Sequence, residues 1–294
     1  MGEPHPAGPR RTRPEIEYDV LPAADIGAVE RALSPLERIA NVDWVRRATI
    51  IAALACTWEV YAHHLNNPLL LPTFSDTLRA LWLAAVEGRL LSRVWSSLQV
   101  LLMGYTLGVL FAGALTSLAV STRFGRDLLS TLTSMFNPLP AIALLPLAML
   151  WFGLGMPSLV FVIIHSVLWP VALNTQTGFL GVSETQRMAG RNYGLGGLTY
   201  VWKILVPAAF PSILAGLKIG WAFAWRTLIA AELVFGVASR SGGLGWFIFE
   251  HRNELQTDYV FAGLMTVILI GLFVEEVVFR TIAQRTVVRW GLER

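Results

Sequence analysis

The chain has 294 residues, of which 54% are hydrophobic and only 15% are charged, and its formal net charge is +3. This composition, with a mean hydropathy of +0.56, excludes an ordinary soluble domain and indicates a membrane protein. The net positive charge does not call for a nucleic acid partner, because the basic residues flank apolar segments, where they meet the anionic headgroups of the lipid bilayer.

The first 47 residues differ in composition from the rest of the chain. They contain six prolines and mixed charges, which leave too little apolar surface to build a core, so we predict a partly disordered tail. Residues 24–40 have the pattern of a short amphipathic helix, and a passive linker is the alternative interpretation. Because no apolar segment precedes residue 48, the tail is not interpreted as a signal peptide.

Residues 48–290 are predicted to form an all-α fold, a polytopic membrane bundle of about six transmembrane helices. A helix needs roughly 20 apolar residues to cross a bilayer, and six segments approach or exceed that length. The six segments are residues 48–65, 94–120, 128–153, 157–178, 208–237 and 258–279. The first is the weakest, because Glu59, His63 and His64 fall inside it or near its end. Residues 291–294 form a short C-terminal end.

Proline residues predict a bend or a break in the third span. Pro138, Pro140 and Pro146 each remove a backbone donor, and the carbonyl groups that are freed must be satisfied by neighbours or by a cavity. Irregular backbone near the middle of the membrane suits a pore, and a structural kink is the alternative. In the fourth span, His165 lies in an apolar stretch, where it either bonds to a neighbouring helix or contacts cargo.

Two ionisable residues, Arg226 and Glu232, lie deep in the fifth span. Such groups cost about 2.5 kcal/mol or more at that depth, and they usually face a partner or a water-filled path. Six positions on a helix separate the two side chains by about 240°, so they are not simple mutual partners on one face. Together with His165 they are the candidate residues of a translocation path. Structural pairing with another helix or subunit is the alternative.

The distribution of basic residues predicts the orientation in the membrane. With the N-terminus in the cytoplasm, sixteen of the 23 Lys and Arg residues lie on the cytoplasmic side, five lie outside and two lie within a span. Since cytoplasmic loops carry an excess of Lys and Arg, we predict that both termini and the loop at residues 179–207 are cytoplasmic.

This loop contains a polar, capped helix between two apolar spans. Ser183 followed three residues later by Gln186 has the pattern of a capping box, which predicts that a helix begins at Glu184. Gly194 suits the left-handed position that commonly ends a helix, giving a rod of about ten residues. A capped surface helix without a partner is the alternative to a docking element.

The loop resembles the conserved cytoplasmic loop of ABC-importer permeases, whose pattern is Glu-Ala-Ala, three residues, Gly, nine residues, Ile, one residue, Leu-Pro. The corresponding positions are Met188, Ala189, Gly190, Gly194, Ile204, Val206 and Pro207. Met188, Gly190 and Val206 depart from the usual Glu, Ala and Leu. Residues 137–155 and 243–263 resemble the nitrate, sulfonate and taurine branch of that family, and the whole likeness covers roughly residues 48–290.

The resemblance implies a type I ABC importer permease fold in the bacterial inner (cytoplasmic) membrane. It implies a homodimer that works with two cytoplasmic ABC ATPase subunits and an extracytoplasmic solute-binding protein. ATP and magnesium would be bound by the ATPase subunits, since this sequence has no P-loop pattern. No cofactor, metal site or catalytic residue is predicted for this chain.

By this resemblance, the helix at residues 184–193 couples the permease to the ATPase. The implied coupling residues are Glu184, Arg187, Met188, Ala189, Gly190, Arg191, Tyr193 and Gly194. Ala189 and Gly190 form a patch with almost no side chain, which would let a partner approach the backbone closely. The branch implies a small anionic solute, such as a sulfonate, nitrate, taurine or a carboxylate. An ATP-independent secondary transporter or channel, or a membrane scaffold or sensor, is the alternative function.

Overall fold

The computed structural model describes residues 42–235, 242–289 and residue 291. Most of the predicted tail, including the pattern at residues 24–40, therefore lies outside the described residues. The chain divides into two units, Met1–Leu54 and Ala55–Arg294. The described part of the first unit is the beginning of helix α1 (Asp43–Leu65), and the second unit contains all the elements discussed below.

Regular structure in the described part of the chain is entirely helical, which confirms the all-α prediction. The α-helices that follow α1 are α2 (Phe74–Val86), α3 (Arg89–Ser121), α4 (Arg123–Phe136), α5 (Leu145–Phe152), α6 (Met156–Leu180), α7 (Glu184–Asn192), α8 (Gly197–Tyr200), α9 (Val206–Ala208), α10 (Phe210–Phe235), α11 (Leu244–Asn253), α12 (Thr257–Phe273) and α13 (Arg280–Ala283). Short π-helical segments join α8 to α9 and α12 to α13, and a 3₁₀ turn at Ala141–Leu144 precedes α5.

Four helical stretches of the described residues are long and apolar enough to cross a membrane: Arg89–Ser121, Met156–Leu180, Phe210–Val234 and Thr257–Val288. The third predicted span is bent, because α4 and the segment Ala141–Phe152 meet at 88°, and the pair is a fifth span if both halves belong to one crossing. The chain is therefore a polytopic membrane protein. The predicted first span falls in α1, which is not among these stretches.

Helix α6 is the centre of the bundle and packs against α3 on one side and α10 on the other. The close approach depends on pairs of glycines four residues apart, Gly104 and Gly108 on α3 and Gly216 and Gly220 on α10. A Cβ atom at Gly104 would lie 2.7 Å from the Cβ of Ile163 on α6, so a larger residue would force the helices apart. Small residues in this spacing let membrane helices approach closely enough for van der Waals contact along their backbones.

Polar contacts tie α10 to its other neighbours. The hydroxyl of Tyr105 on α3 donates to the carbonyl of Leu217 at 3.0 Å. On the other side, the Lys218 ammonium lies 3.3 Å from the carboxylate of Glu275, in the π-helical segment after α12. One of the two basic residues predicted within a span therefore has an acidic partner in its own chain.

Candidate functional site

Helix α7 forms where the sequence predicts a capped helix. It begins at Glu184, as predicted, and ends at Asn192, one residue before the predicted end. The Ser183 hydroxyl accepts the backbone N–H of Gln186 at 3.4 Å and donates to the Gln186 side-chain oxygen at 3.2 Å. The Gln186 side chain thus returns to the cap through the hydroxyl, whereas a full capping box would use the Ser183 N–H.

The end of α7 is closed by backbone geometry. Gly194 has φ +70°, in the left-handed region, as its position predicted. The N–H of Leu195 bonds to the carbonyl of Gly190 at 3.1 Å, which satisfies one of the last carbonyl groups of the helix. This 6→1 bond is the signature of a Schellman motif, so both ends of α7 are fixed by local sequence.

The inner face of α7 is attached to the rest of the chain. Arg187 donates to the carbonyl of Val182 at 3.0 Å and also to the carbonyl of Phe179, near the C-terminal end of α6. A cation suits that end, because the last carbonyl groups of a helix carry a partial negative charge. These hydrogen bonds attach α7 directly to the C-terminal end of α6.

Gly190 also belongs to this inner face. It is buried, and a Cβ atom there would lie 2.9 Å from both the Tyr200 ring and the Ile204 side chain. The predicted small patch for a partner at Ala189 and Gly190 is therefore corrected: Ala189 is exposed, whereas Gly190 packs against its own chain. The glycine is needed for this close packing.

The remaining predicted coupling residues lie on the outer face of α7 and directly after its end. The exposed members of the set are Glu184, Met188, Ala189, Arg191, Tyr193 and Gly194. Met188 is 54% exposed and Tyr193 is 84% exposed. Met188 on α7 and Tyr193 directly after it thus expose two large apolar side chains beside an otherwise polar helix.

A second region of interest is a cavity of about 360 Å³ between α6, α10 and the break after α4. One wall is formed by residues 137–142, which comprise the connection after α4 and the first two residues of the 3₁₀ turn. His165 and Arg226, two of the three predicted path residues, both line this cavity. The bend imposed by the prolines thus opens a space beside the central helix of the bundle.

The polar groups of this cavity have few partners. Both ring nitrogens of His165 and the indole Nε1 of Trp169 are buried and have no hydrogen-bond partner among the described residues. The Arg226 side chain is exposed; its Nε donates to the carbonyl of Ala222 at 3.0 Å, and its guanidinium lies 5.0 Å from the centre of the Phe223 ring. The cavity lining therefore combines the positive charge of Arg226 with two aromatic side chains whose ring nitrogens are unpaired in the described chain.

Glu232, the third predicted path residue, lies elsewhere. It is 5% exposed and does not line the cavity. Its carboxylate accepts the hydroxyl of Ser97 on α3, 2.8 Å from each oxygen, and the N–H of Gly245 on α11 at 2.8 Å. The Ser97 hydroxyl oxygen in turn accepts the N–H of Leu244 at 2.8 Å. The structure thus separates Glu232 from Arg226 and His165, and its contacts join three helices.

Trp169 and Ser97 were not among the residues predicted from the sequence. Trp169 follows His165 by four residues, so the two side chains share one face of α6, and that spacing could have identified it. Ser97 and Glu232 are 135 residues apart, and no sequence pattern links them. In the part of the chain that the structure describes, no three His, Cys, Asp or Glu side chains are grouped so as to hold a metal ion.

Comparison with known proteins adds a family and several relatives. The profile of the family described as "Binding-protein-dependent transport system inner membrane component" matches residues 104–286. The chain is 32% identical to the taurine transport system permease protein of Escherichia coli K12, over 77% of this chain and 83% of that protein. It is also 28% identical to the nitrate import permease protein of Synechocystis, over 83% of this chain and 90% of that protein.

A third relative is the putative aliphatic sulfonates transport permease protein of Escherichia coli K12. It is 29% identical to this chain over 76% of the chain and 82% of that relative. All three alignments cover most of both proteins.

Proposed function

The chain belongs to the family of binding-protein-dependent transport system inner membrane components and is a permease subunit of an ABC importer, and we propose that helix α7 couples it to ATP hydrolysis. In this proposal two cytoplasmic ATPase subunits receive the α7 helices of two permease copies. An extracytoplasmic binding protein delivers the solute. Both termini and α7 face the cytoplasm, as the excess of basic residues on that side favours.

The observation that carries the coupling proposal is the two-faced construction of α7. Its outer face exposes Met188 and Tyr193, which suits a groove on a partner because the flexible thioether and the aromatic ring adapt to an apolar surface. Its inner face is fixed by Arg187 to the end of α6 and by Gly190 to Tyr200. A partner that grips the outer face therefore moves the bundle with it.

Helix α6 connects α7 with the cavity. Phe179, whose carbonyl accepts Arg187, is ten residues beyond Trp169 on α6, which corresponds to about 15 Å along a helix. Closing of the ATPase pair around ATP would move α6 against α3 and α10 and reshape the cavity. ATP can drive this change only if the ATPase grips the two states of the permease with different affinity.

We propose a small anion as the solute. The relatives are named for taurine, aliphatic sulfonates and nitrate, and each of these solutes is or contains an oxyanion. The Arg226 guanidinium within the cavity supplies a positive charge on the membrane path. Isolated charges at this depth are costly, and they are retained mainly where they face a partner or a water-filled path.

The test of coupling is ATP-driven uptake of taurine by the assembled complex in proteoliposomes. Ala189→Arg adds a long charged side chain to the outer face of α7, whereas Ala189→Ser keeps the residue small. We expect uptake to fall at least tenfold with Ala189→Arg and to stay near the wild-type rate with Ala189→Ser, with both variants inserted normally. Wild-type uptake by Ala189→Arg would reject docking through this face.

The alternative of a secondary transporter or channel is tested in the same liposomes. The permease alone, without ATPase subunits, is given an inward ion gradient and labelled taurine. The proposal predicts no uptake under this condition and uptake only when the ATPase subunits, the binding protein and ATP are present. Gradient-driven uptake by the permease alone would favour the alternative.

A further inference from the structure

Within the proposed transport function, on which this inference rests, we propose that the cavity beside α6 is a binding site for an organic oxyanion. The ligand is a sulfonate or carboxylate with an apolar body. The site is formed by Trp169, His165 and Arg226 around the head group and by Phe223 beside the body. It lies within the permease and is separate from any site on a binding protein.

The unpaired indole of Trp169 is the first argument. Only 6% of this residue is exposed, and its Nε1 has no hydrogen-bond partner among the described residues. An indole N–H can only donate, and a buried donor without a partner is unfavourable. The ring is held in place by Phe136, which stacks on it at 5.6 Å with an interplanar angle of 10°. The Trp169 N–H is therefore held in one orientation, although none of the described residues accepts it.

The charge of the lining is the second argument. His165 lies next to Trp169, with their ring centres 5.9 Å apart, and both of its ring nitrogens are unpaired within the described chain. Arg226 adds five N–H donors, of which the Nε is used on the backbone. No Asp or Glu is among the described lining residues of the cavity, so these residues add no negatively charged side chain to its wall.

The size and shape of the cavity are the third argument. Its volume of about 360 Å³ is within the range of roughly 300–1,000 Å³ that small-molecule sites occupy. A bare inorganic anion would leave most of this space unfilled. The Phe223 ring and the prolines at the break after α4 supply an apolar wall for the body of a larger anion. These features favour an organic anion over nitrate.

The test uses the permease with its ATPase subunits, without binding protein, in nanodiscs of phosphatidylcholine. Thermal unfolding is followed with increasing benzenesulfonate or benzoate, with nitrate as the bare anion and benzyl alcohol as the uncharged ring. We expect the two organic anions to raise the unfolding temperature by about 2 °C or more at saturation. Nitrate should shift it less, and benzyl alcohol should shift it no more than nitrate does.

Variants then assign the effect to the cavity. Because a hydrogen bond to a charged group contributes about 1.5–3 kcal/mol, R226Q and W169F should each weaken the apparent affinity for benzenesulfonate by roughly tenfold or more. The matched control is W225F. Trp225 is equally buried, at 5% exposed, but its Nε1 donates to the carbonyl of Val267 at 3.2 Å, outside the cavity. W225F should leave the affinity unchanged.

Three outcomes would overturn the inference. The first is a wild-type complex that responds to the organic anions no more than to benzyl alcohol. The second is R226Q and W169F complexes that bind benzenesulfonate as the wild type does. The third is a complex that responds only to phosphatidylglycerol nanodiscs, with dependence on Arg226, since the occupant would then be a lipid headgroup.

Failure of this inference and failure of the coupling proposal give different results. If uptake is ATP-driven and is lost in Ala189→Arg, but benzenesulfonate does not bind, the cavity site alone is rejected. If benzenesulfonate binds through Arg226 but uptake needs no ATP, the coupling proposal is rejected and the site remains.

Discussion

Arg226 and Glu232 lie six residues apart on the same helix, and their surroundings are opposite. Glu232 is buried and accepts hydrogen bonds from Ser97 and Gly245, so its carboxylate is satisfied within the chain. Arg226 is exposed in a cavity that is also lined by His165 and Trp169, whose ring nitrogens have no hydrogen-bond partner in the described chain. An ionisable residue within a span is therefore not in itself a sign of a transport site. What distinguishes Arg226 from Glu232 is whether the polar groups around it have hydrogen-bond partners within the chain.

The Glu232 cluster consists of Glu232, Ser97, Leu244 and Gly245. It also explains why a glycine is needed at position 245, in the first turn of α11. A Cβ atom at Gly245 would lie 2.6 Å from the Cβ of Glu232, so the backbone of α11 can approach the carboxylate only without a side chain there. The cluster fastens α11 to α3 and α10 through groups that would otherwise be buried without partners. We interpret it as a structural joint, and the cavity as the site of recognition.

The largest expected effect on the free energy of unfolding comes from removing the Glu232 carboxylate, which connects α10 to α3 and α11 in this joint. Glu232→Ala strands the Ser97 hydroxyl and the Gly245 N–H, and each stranded donor costs about 1–3 kcal/mol. Glu232→Gln keeps the shape and one acceptor oxygen, so it should lose less. The measurement is the free energy of unfolding of the purified chain in detergent. If Glu232→Ala is as stable as the wild type, the interpretation as a joint is wrong.

The next effect concerns the hydroxyl in the same cluster. Ser97→Ala leaves the Leu244 N–H without its acceptor and should lower the free energy of unfolding by about 1–3 kcal/mol. Ser96→Ala is the matched control, because among the described residues that hydroxyl bonds to the carbonyl of Ser92 within its own helix. The control should change stability by about 0.5 kcal/mol or less. Equal effects in the two variants would contradict the assignment.

A smaller effect is expected from a comparison of two buried tryptophans. The indole N–H of Trp225 has a hydrogen-bond partner, and that of Trp169 has none among the described residues. Trp225→Phe removes the hydrogen bond to Val267, whereas Trp169→Phe removes an N–H that has no partner in the described chain. Both changes remove similar ring area, so the difference between them reports the hydrogen bond. We expect Trp225→Phe to be less stable than Trp169→Phe by about 1 kcal/mol without added anion. Equal losses in chemical denaturation would mean that the Trp169 N–H is already satisfied.

The smallest effect is expected at Arg226. The Arg226 side chain is exposed, and its interactions with the described residues are a contact with the Phe223 ring and a hydrogen bond to a backbone carbonyl of its own helix. Arg226→Gln should therefore change the free energy of unfolding by about 0.5 kcal/mol or less. The same denaturation experiment checks it. A loss as large as that of Glu232→Ala would place Arg226 in a structural role and remove the contrast between the two residues.

Local sequence was sufficient to predict the features that depend on neighbouring residues. The cap at Ser183, the left-handed Gly194 and the break caused by Pro138 and Pro140 each follow from the conformational limits of a few adjacent residues. The same reasoning placed the fold in the all-α membrane class. Hydrophobic length and composition suffice for that step, since only helices satisfy the backbone of such segments within themselves.

Features that depend on packing between distant segments were not predictable. The sequence showed that Gly190 is small but not that it faces Tyr200, because helix rotation is set by tertiary contacts. It placed Arg226 and Glu232 equally deep, yet Ser97, more than a hundred residues away, decides which of them is satisfied. A single sequence carries no record of such pairings.

The central claim, that α7 is the surface on which an ATPase subunit acts, is tested most directly by cross-linking. In a Cys56→Ser background, a photoreactive group is attached at Tyr193→Cys, with Leu69→Cys as an exposed control on the predicted outer side. The account predicts a permease–ATPase adduct from Tyr193→Cys and none from Leu69→Cys. The absence of an adduct at Tyr193→Cys, or an equal yield at Leu69→Cys, would contradict it.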